Sequence, residues 1–352
     1  MLDVSQKSRW VRTKKIDAQK QSKASRGGSD VDLTVVIPMY NEEENVRSTI
    51  ESIEEELSSV SYSWEILIVD DGSRDNTYDI AKDIAESDKN VRVISYPSNA
   101  GRGKAMRTGF ANAQGRFVVT TDADLSYDAR YIKDLADEIM QNEDIDIVIG
   151  SPYISGGGAE SVPFFRLLIS KLGNKIVGYS LGNRLNTVTG ILRIYKRSVL
   201  DSLELESDGK EIHLEILTKA TAVGYKVKEV PAVLKGRKKG KSKFKLRATV
   251  ISHMTFSLYE RPAMLFGFFG FLLIIAGLIF GSYISVLRFL GTLNPGRPLL
   301  YLTILSIVVG IQMLSFGFLA NQLVYLKKNI FIIQRENKQL EQRLKERETQ
   351  ME

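Results

Sequence analysis

Two aspartates one residue apart, Asp122 and Asp124, stand in TTDADLSYDARYI, between the apolar segment GRFVVT and a run of helical spacing, DARYIKDLADEIM. Carboxylates that close repel each other unless a cation sits between them. Two other strand-like segments also end on acids. DLTVVIPMYN leads through Pro38 and Tyr40 to Glu42, and WEILIVDDGS closes on Asp70 and Asp71. Singly, each has an ordinary alternative. Asp70 can close a turn, Glu42, Glu43 and Glu44 can favour the first turn of a helix, and Asp122–Asp124 can be an exposed acidic turn. Three acidic strand ends on one rim are harder to dismiss, and they point to a bound cation. The chain has no cysteine and two histidines, His213 and His253, so its ligands would be oxygens. That suits a hard divalent ion, Mg2+ or Mn2+, which takes one or two carboxylates and completes its shell with substrate phosphates.

Bringing these acids together requires parallel strands. The chain offers an alternation of apolar strands (DLTVVIPMYN, WEILIVDDGS, VRVISY, GRFVVTTDAD, DIVIGS) with helical runs (EEENVRSTIESIEEEL, DNTYDIAKDIAES, GKAMRTGFANA, ARYIKDLADEIMQ). Strands apolar throughout, separated by helices, predict an α/β fold: a mostly parallel sheet with helices on both faces. Such sheets bind ligands beyond the carboxyl ends of their strands, where the acids lie. Gly101-Arg102-Gly103-Lys104 lacks the spacing of a Walker phosphate loop, with Ala105 where Ser or Thr belongs, and no GxGxxG follows the first strand. Dinucleotide-linked redox chemistry loses its main support.

Outside this region the composition changes. Residues 1–30 are polar and basic, predicted to be a disordered tail, with no apolar core of signal-peptide length. Residues 263–287 and 299–326 carry no charge, and each exceeds the roughly 20 apolar residues that span a bilayer. Lysines and arginines flank the pair in KGRKKGKSKFKLR upstream and at Lys327, Lys328 and Arg335 downstream, so both flanks, and with them the soluble part and both termini, are expected in the cytoplasm. The expected order is a soluble domain over 31–247, a juxtamembrane segment over 248–262, a transmembrane hairpin and a C-terminal cytoplasmic helix over 327–352. In that last helix Ile330, Asn337, Leu344 and Met351 repeat every seven residues, with Ile333 and Leu340 at the partner positions. A short coiled coil, hence a homo-oligomer, and a single charged helix both fit. The formal net charge of +6 is read as attraction to anionic lipid headgroups rather than to nucleic acid.

The ordered set VVIPMYNEEENV, ILIVDDGSRDNT, NAGRGKAMRTGF, VVTTDADLS, IGSPYISGGG, FFRLLIS, VTGILRIYKRSVL and GRKKGKSK resembles the family 2 glycosyltransferases of GT-A fold, in particular those that use polyprenyl phosphates, over roughly 32–247. The resemblance implies that Pro38, Tyr40, Glu42, Asp70, Asp71 and Lys104 bind the donor nucleotide. Asp122 and Asp124 would hold the metal and the diphosphate. Arg166, Ser170 and Lys243 would meet an acceptor phosphate, and Arg237 would belong to a loop closing over the diphosphate, so that Asp124, Arg166 and Arg237 are the implied catalytic residues. It also implies transfer of one sugar from a nucleotide-diphosphate sugar, UDP-glucose-type or GDP-mannose, to a polyprenyl phosphate at the membrane. Three departures stand out: Pro152 where arginine is usual, Asn186 where aspartate is common, and Ser126 where some relatives place glutamine. Glu215 is open between a substrate contact and a surface acid. A processive polysaccharide synthase would carry QxxRW, yet the only tryptophans are Trp10 and Trp64. A non-catalytic membrane scaffold is the remaining alternative.

Overall fold

The structure, a computed structural model, describes residues 31–161, 167, 170, 171, 174, 185–235, 262–292 and 298–351. The tail over 1–30, Arg166, Arg237, Lys243 and residues 248–261 lie outside it. Leu33–Met39 (β1), Trp64–Asp70 (β2), Val91–Ser95 (β3), Phe117–Thr120 (β4), Ile147–Ser151 (β5), Arg193–Lys196 (β7) and Val227–Pro231 (β8) form one seven-stranded sheet in the order β3-β2-β1-β4-β7-β5-β8. All neighbours are parallel except β7, which runs antiparallel to both β4 and β5. Gly158–Glu160 (β6) and Val233–Lys235 (β9) form a short parallel pair.

Alternation along β1 sorts the helices to two faces. Leu33, Val35 and Ile37 share a core with Val46, Ile50, Ile53 and Leu57 of Val46–Leu57 (α1) and with Tyr131, Ile132, Leu135 and Ile139 of Arg130–Gln141 (α4). Thr77–Ser87 (α2) follows β2. Val36 faces the other way, toward Gly109 of Arg102–Asn112 (α3). Two later helices, Arg197–Ser202 (α5) and Ile212–Ala222 (α6), follow β7. The predicted α/β sheet is therefore present, with one strand reversed.

The long helices Pro262–Phe289 (α7) and Pro298–Met351 (α8) belong largely to a second unit, up to Ile333. Each is long and apolar enough to cross a membrane, and large apolar side chains lie open on both, Phe268 at 64% and Phe318 at 63% exposure among them. The two come close at glycines: a Cβ on Gly270 would sit 2.8 Å from the Gly310 carbonyl oxygen. Two separate helices were expected over 299–326 and 327–352, and one continuous helix is found. No glycine or proline interrupts 326–330, and Lys327 and Lys328 are good helix formers.

From Gln334 on, α8 groups with the sheet unit. Arg335 Nη1 donates to Val223 O at 2.8 Å and Lys338 Nζ to Leu203 O at 2.5 Å. Val223 and Leu203 are the residues that close α6 and α5, where cationic groups meet unpaired carbonyls and the negative end of the dipole. The heptad residues Ile333, Leu340 and Leu344 stay 56–60% exposed.

Candidate active site

Register sets the rim. Met39 lies beside Asp70 and Val36 beside Thr120, so β1, β2 and β4 deliver their loops to one edge. Asp70 and Asp71, 1% and 4% exposed, organise these loops. Asp70 accepts from Ser95 Oγ at 2.8 Å and from Ser73 N at 3.3 Å. Asp71 accepts from Tyr96 OH (2.7 Å), Asn99 Nδ2 (2.8 Å), Ala100 N (2.8 Å) and Gly101 N (3.0 Å), which fills the capacity of a carboxylate. Burial, then the bond to Asp71, pushes the Tyr96 phenol up. The loop after β1 is laced to the loop after β2. Asn41, in the left-handed region at φ 54°, donates from N to Ser73 Oγ (2.9 Å), and Glu42 N donates to Thr77 Oγ1 (2.8 Å). Pro38, near the end of β1, and Tyr40, at the start of this loop, are half-buried.

The aspartate pair is built just as tightly. Ser126 donates to Asp124 Oδ1 from N (3.0 Å) and Oγ (2.6 Å). Leu125 between them takes φ 44°, a conformation that L-residues other than Asn, Asp and Gly rarely adopt. Thr49 of α1, buried, donates from Oγ1 to Ala123 O at 2.5 Å. Lys235 N donates to Ser126 O at 2.7 Å, and Lys235 Nζ reaches Asp128 at 2.9 Å, which holds that carboxyl below its usual range. Arg102 Nη2 lies 3.1 Å from Asp122 Oδ1. Thr49, Arg102 and Ser126 as a brace were not foreseen: two of the three act across long sequence separations that no local pattern marks.

A second tier supports α3. Gly103 N and Lys104 N donate to Asp208 O at 2.8 and 3.3 Å, and a Cβ on Gly103 would collide with the Ser207 carbonyl. Arg107 pairs with Asp208. Glu215, 12% exposed, accepts from Glu206 N and Ser207 N at 2.9 Å each and pairs with Lys219 at 2.8 Å. Burial pushes its carboxyl up, and Lys219, Ser207 and Glu206 outweigh that and hold it low. Glu215 is thus a brace for the 206–208 loop. Lys104 itself is exposed. His213 is 2% exposed, and neither ring nitrogen has a hydrogen-bond partner among the described residues. Burial, then the neighbouring Arg193, keeps it neutral, far below its ordinary value. Arg193, fully buried, donates to the carbonyls of Gly190 (2.6 Å), His213 (3.0 Å) and Val188 (2.6 Å).

On the far side of the rim, Tyr153 OH donates to Ser170 Oγ at 2.7 Å, which ties Ser170 to the loop after β5. Asn186 donates from N (2.9 Å) and Nδ2 (3.0 Å) to Glu229. It positions the loop before β7.

Residues 34–204 match the profile of glycosyl transferase family 2. Polyprenol monophosphomannose synthase of Mycolicibacterium smegmatis is 33% identical over 216 residues, which cover 59% of this chain and 79% of that protein. The chain belongs to glycosyl transferase family 2. Dodecaprenyl-phosphate galacturonate synthase of Rhizobium johnstonii is 28% identical over 313 residues, 85% of this chain and 90% of that one. Among solved structures, glucosyl-3-phosphoglycerate synthase from Mycobacterium tuberculosis, in complex with Mn2+, UDP and glucosyl-3-phosphoglycerate, superposes with a TM-score of 0.50 at 22% identity, over 67% of this chain and 81% of that one. That likeness shows a GT-A-like fold. The chain is therefore a glycosyltransferase of family 2.

The rim fits a divalent cation of a particular kind. Among the described residues no three carboxylate, imidazole or thiolate groups converge, so these residues supply at most a pair. Asp122 already faces a cationic group, Arg102, and Asp124 is fixed by Ser126. Two hard oxygen ligands with the rest left to water and phosphate is the habit of Mg2+ and Mn2+.

Proposed function

We propose that this family 2 glycosyltransferase moves a single sugar from a nucleotide-diphosphate sugar to a polyprenyl phosphate at a membrane surface. The observation that carries the reading is the aspartate pair, held by Thr49 and Ser126 on the rim, in a chain that also bears two exposed apolar helices of membrane-spanning length. The relative that uses dodecaprenyl phosphate by name aligns over 313 residues, more than the soluble part alone supplies.

Asp122 and Asp124 would hold Mg2+ or Mn2+, which when bound supplies Lewis-acid stabilisation of the departing diphosphate. The chain's own residues do the rest. The laced loops carrying Pro38, Tyr40, Glu42 and Asp70 frame the nucleotide, with Asp71 holding them in shape, and Lys104 offers a positive charge to the phosphates. An acceptor phosphate monoester is largely ionised near neutral pH, its second pKa being about 6. It needs placement rather than a strong base. Arg166, Ser170 and Lys243 are assigned to that task, with Ser170 set by Tyr153. Arg237 is assigned to the diphosphate; it follows Lys235, which bonds to Ser126, by two residues.

The test is transfer by the detergent-purified chain with a short polyprenyl phosphate, Mn2+ or Mg2+, and a panel of labelled UDP- and GDP-sugars. Label entering the lipid phase from one donor, reduced by about a hundredfold or more in Asp124→Asn, is the expected result. Metal-dependent nucleotide binding without transfer to any polyprenyl phosphate would overturn the acceptor assignment.

A further inference from the structure

The α3 terminus looks at first like a phosphate cradle, yet its first amides are spoken for. Gly103 N and Lys104 N both donate to Asp208 O, and Arg107 is engaged by Asp208 and by the Leu205 carbonyl. What positive charge this helix offers a diphosphate then comes from side chains at its start rather than from its amides. Arg102 is one, and it is paired with Asp122 at 3.1 Å, with the two side chains 32% and 21% exposed. Ion pairs open to water contribute little to stability, so this one can part readily.

We propose that Arg102 is a resident counter-charge for the aspartate pair, competing with the divalent cation for Asp122 and turning to the donor diphosphate once the cation is bound. The inference rests on Asp122 and Asp124 being the metal ligands. Its physical content is a change of sign. A guanidinium beside Asp122 repels a bare dication, and the same guanidinium attracts the anionic diphosphate that arrives with it. Bare metal is thereby held weakly and the metal–nucleotide complex strongly, so the site fills with both together.

The experiment is a titration of the full chain in detergent with Mn2+, followed by electron paramagnetic resonance of free Mn2+, and of UDP and GDP with saturating Mn2+ by calorimetry. Arg102→Gln is expected to bind Mn2+ alone about three- to tenfold more tightly than wild type, and the nucleotide that wild type accepts about tenfold more weakly. Arg102→Lys keeps the charge and is expected near wild type on both. A loss of structure would move both affinities of Arg102→Gln downward, so opposite shifts identify the charge effect. Shifts in the same direction, or no shift in either, overturn the proposal while leaving the metal assignment intact. Mn2+ bound by neither protein, with or without nucleotide, overturns the metal assignment and the proposal with it.

Discussion

Thr49 bears on the aspartate pair although it lies 74 residues away in the chain, through its hydroxyl on the Ala123 carbonyl. Thr49→Val preserves shape and leaves that buried carbonyl without its donor. It is expected to lower stability by about 1–3 kcal/mol and to loosen Mn2+-dependent nucleotide binding, both read by thermal melts and titration; unchanged nucleotide affinity would take Thr49 out of the site. Arg193 makes a similar case. Its guanidinium serves three backbone carbonyls at once, and Arg193→Met should lower stability by roughly 3 kcal/mol or more. Arg193→Lys should recover only part, since an ammonium lacks the planar fork. The two aspartates were legible in the sequence because like charges one residue apart need an explanation. Thr49 and Arg193 were not, because their partners are backbone carbonyls, which leave no mark on residue identity.

At the scale of elements, α1 carries Glu54, whose carboxyl is pushed up to about 7 from 4.5 by burial first and then by its hydrogen bond with Asp88 and the charges of Asp88 and Glu51. The folded value lies above the unfolded one, so folding favours the neutral acid. The contribution is fully present below about pH 4.5 and is lost as pH rises through about 7. Glu54→Gln should therefore match wild type in stability near pH 4.5 and exceed it near pH 8; denaturant titrations at the two pH values check this, and equal stability at both would contradict it. Between α7 and α8 the close approach at Gly270 and Gly310 predicts that Gly310→Leu forces the helices apart, read as loss of a cross-link between cysteines introduced on the two helices. The strands β1 to β5 followed from apolar runs, since the sheet is covered on both faces, and the buried stripe of α1 followed from periodicity, since one face of that helix is sealed. The strands β7 and β8 did not, because RIYK and VKEVP are short and interrupted by charged residues. The unbroken run of α8 was hidden by a change of composition near Leu326 that altered the surroundings of the helix without altering its propensity.

At the scale of the molecule, the cysteine-free sequence makes topology directly testable. If α7 and α8 form a hairpin with both flanks on one side, Asn294→Cys should react with a membrane-impermeant thiol reagent from the side opposite to Gln350→Cys in sealed vesicles. Labelling from the same side would refute the hairpin. The heptad of the C-terminal segment drew attention to its apolar stripe, yet what engages the sheet unit is the polar face, through Arg335 and Lys338 on the ends of α6 and α5. Helix ends carry charge that belongs to the backbone, so a sequence gives no residue to pair with these cations.

The Asp71 knot has a consequence in time as well as in space. The amides of Ala100 and Gly101 lie in irregular backbone, where exchange with solvent deuterium is ordinarily fast, yet both donate to a carboxylate that is 4% exposed. They should exchange at rates nearer those of β1 than of a surface loop, and only when the whole lacing of the rim opens at once.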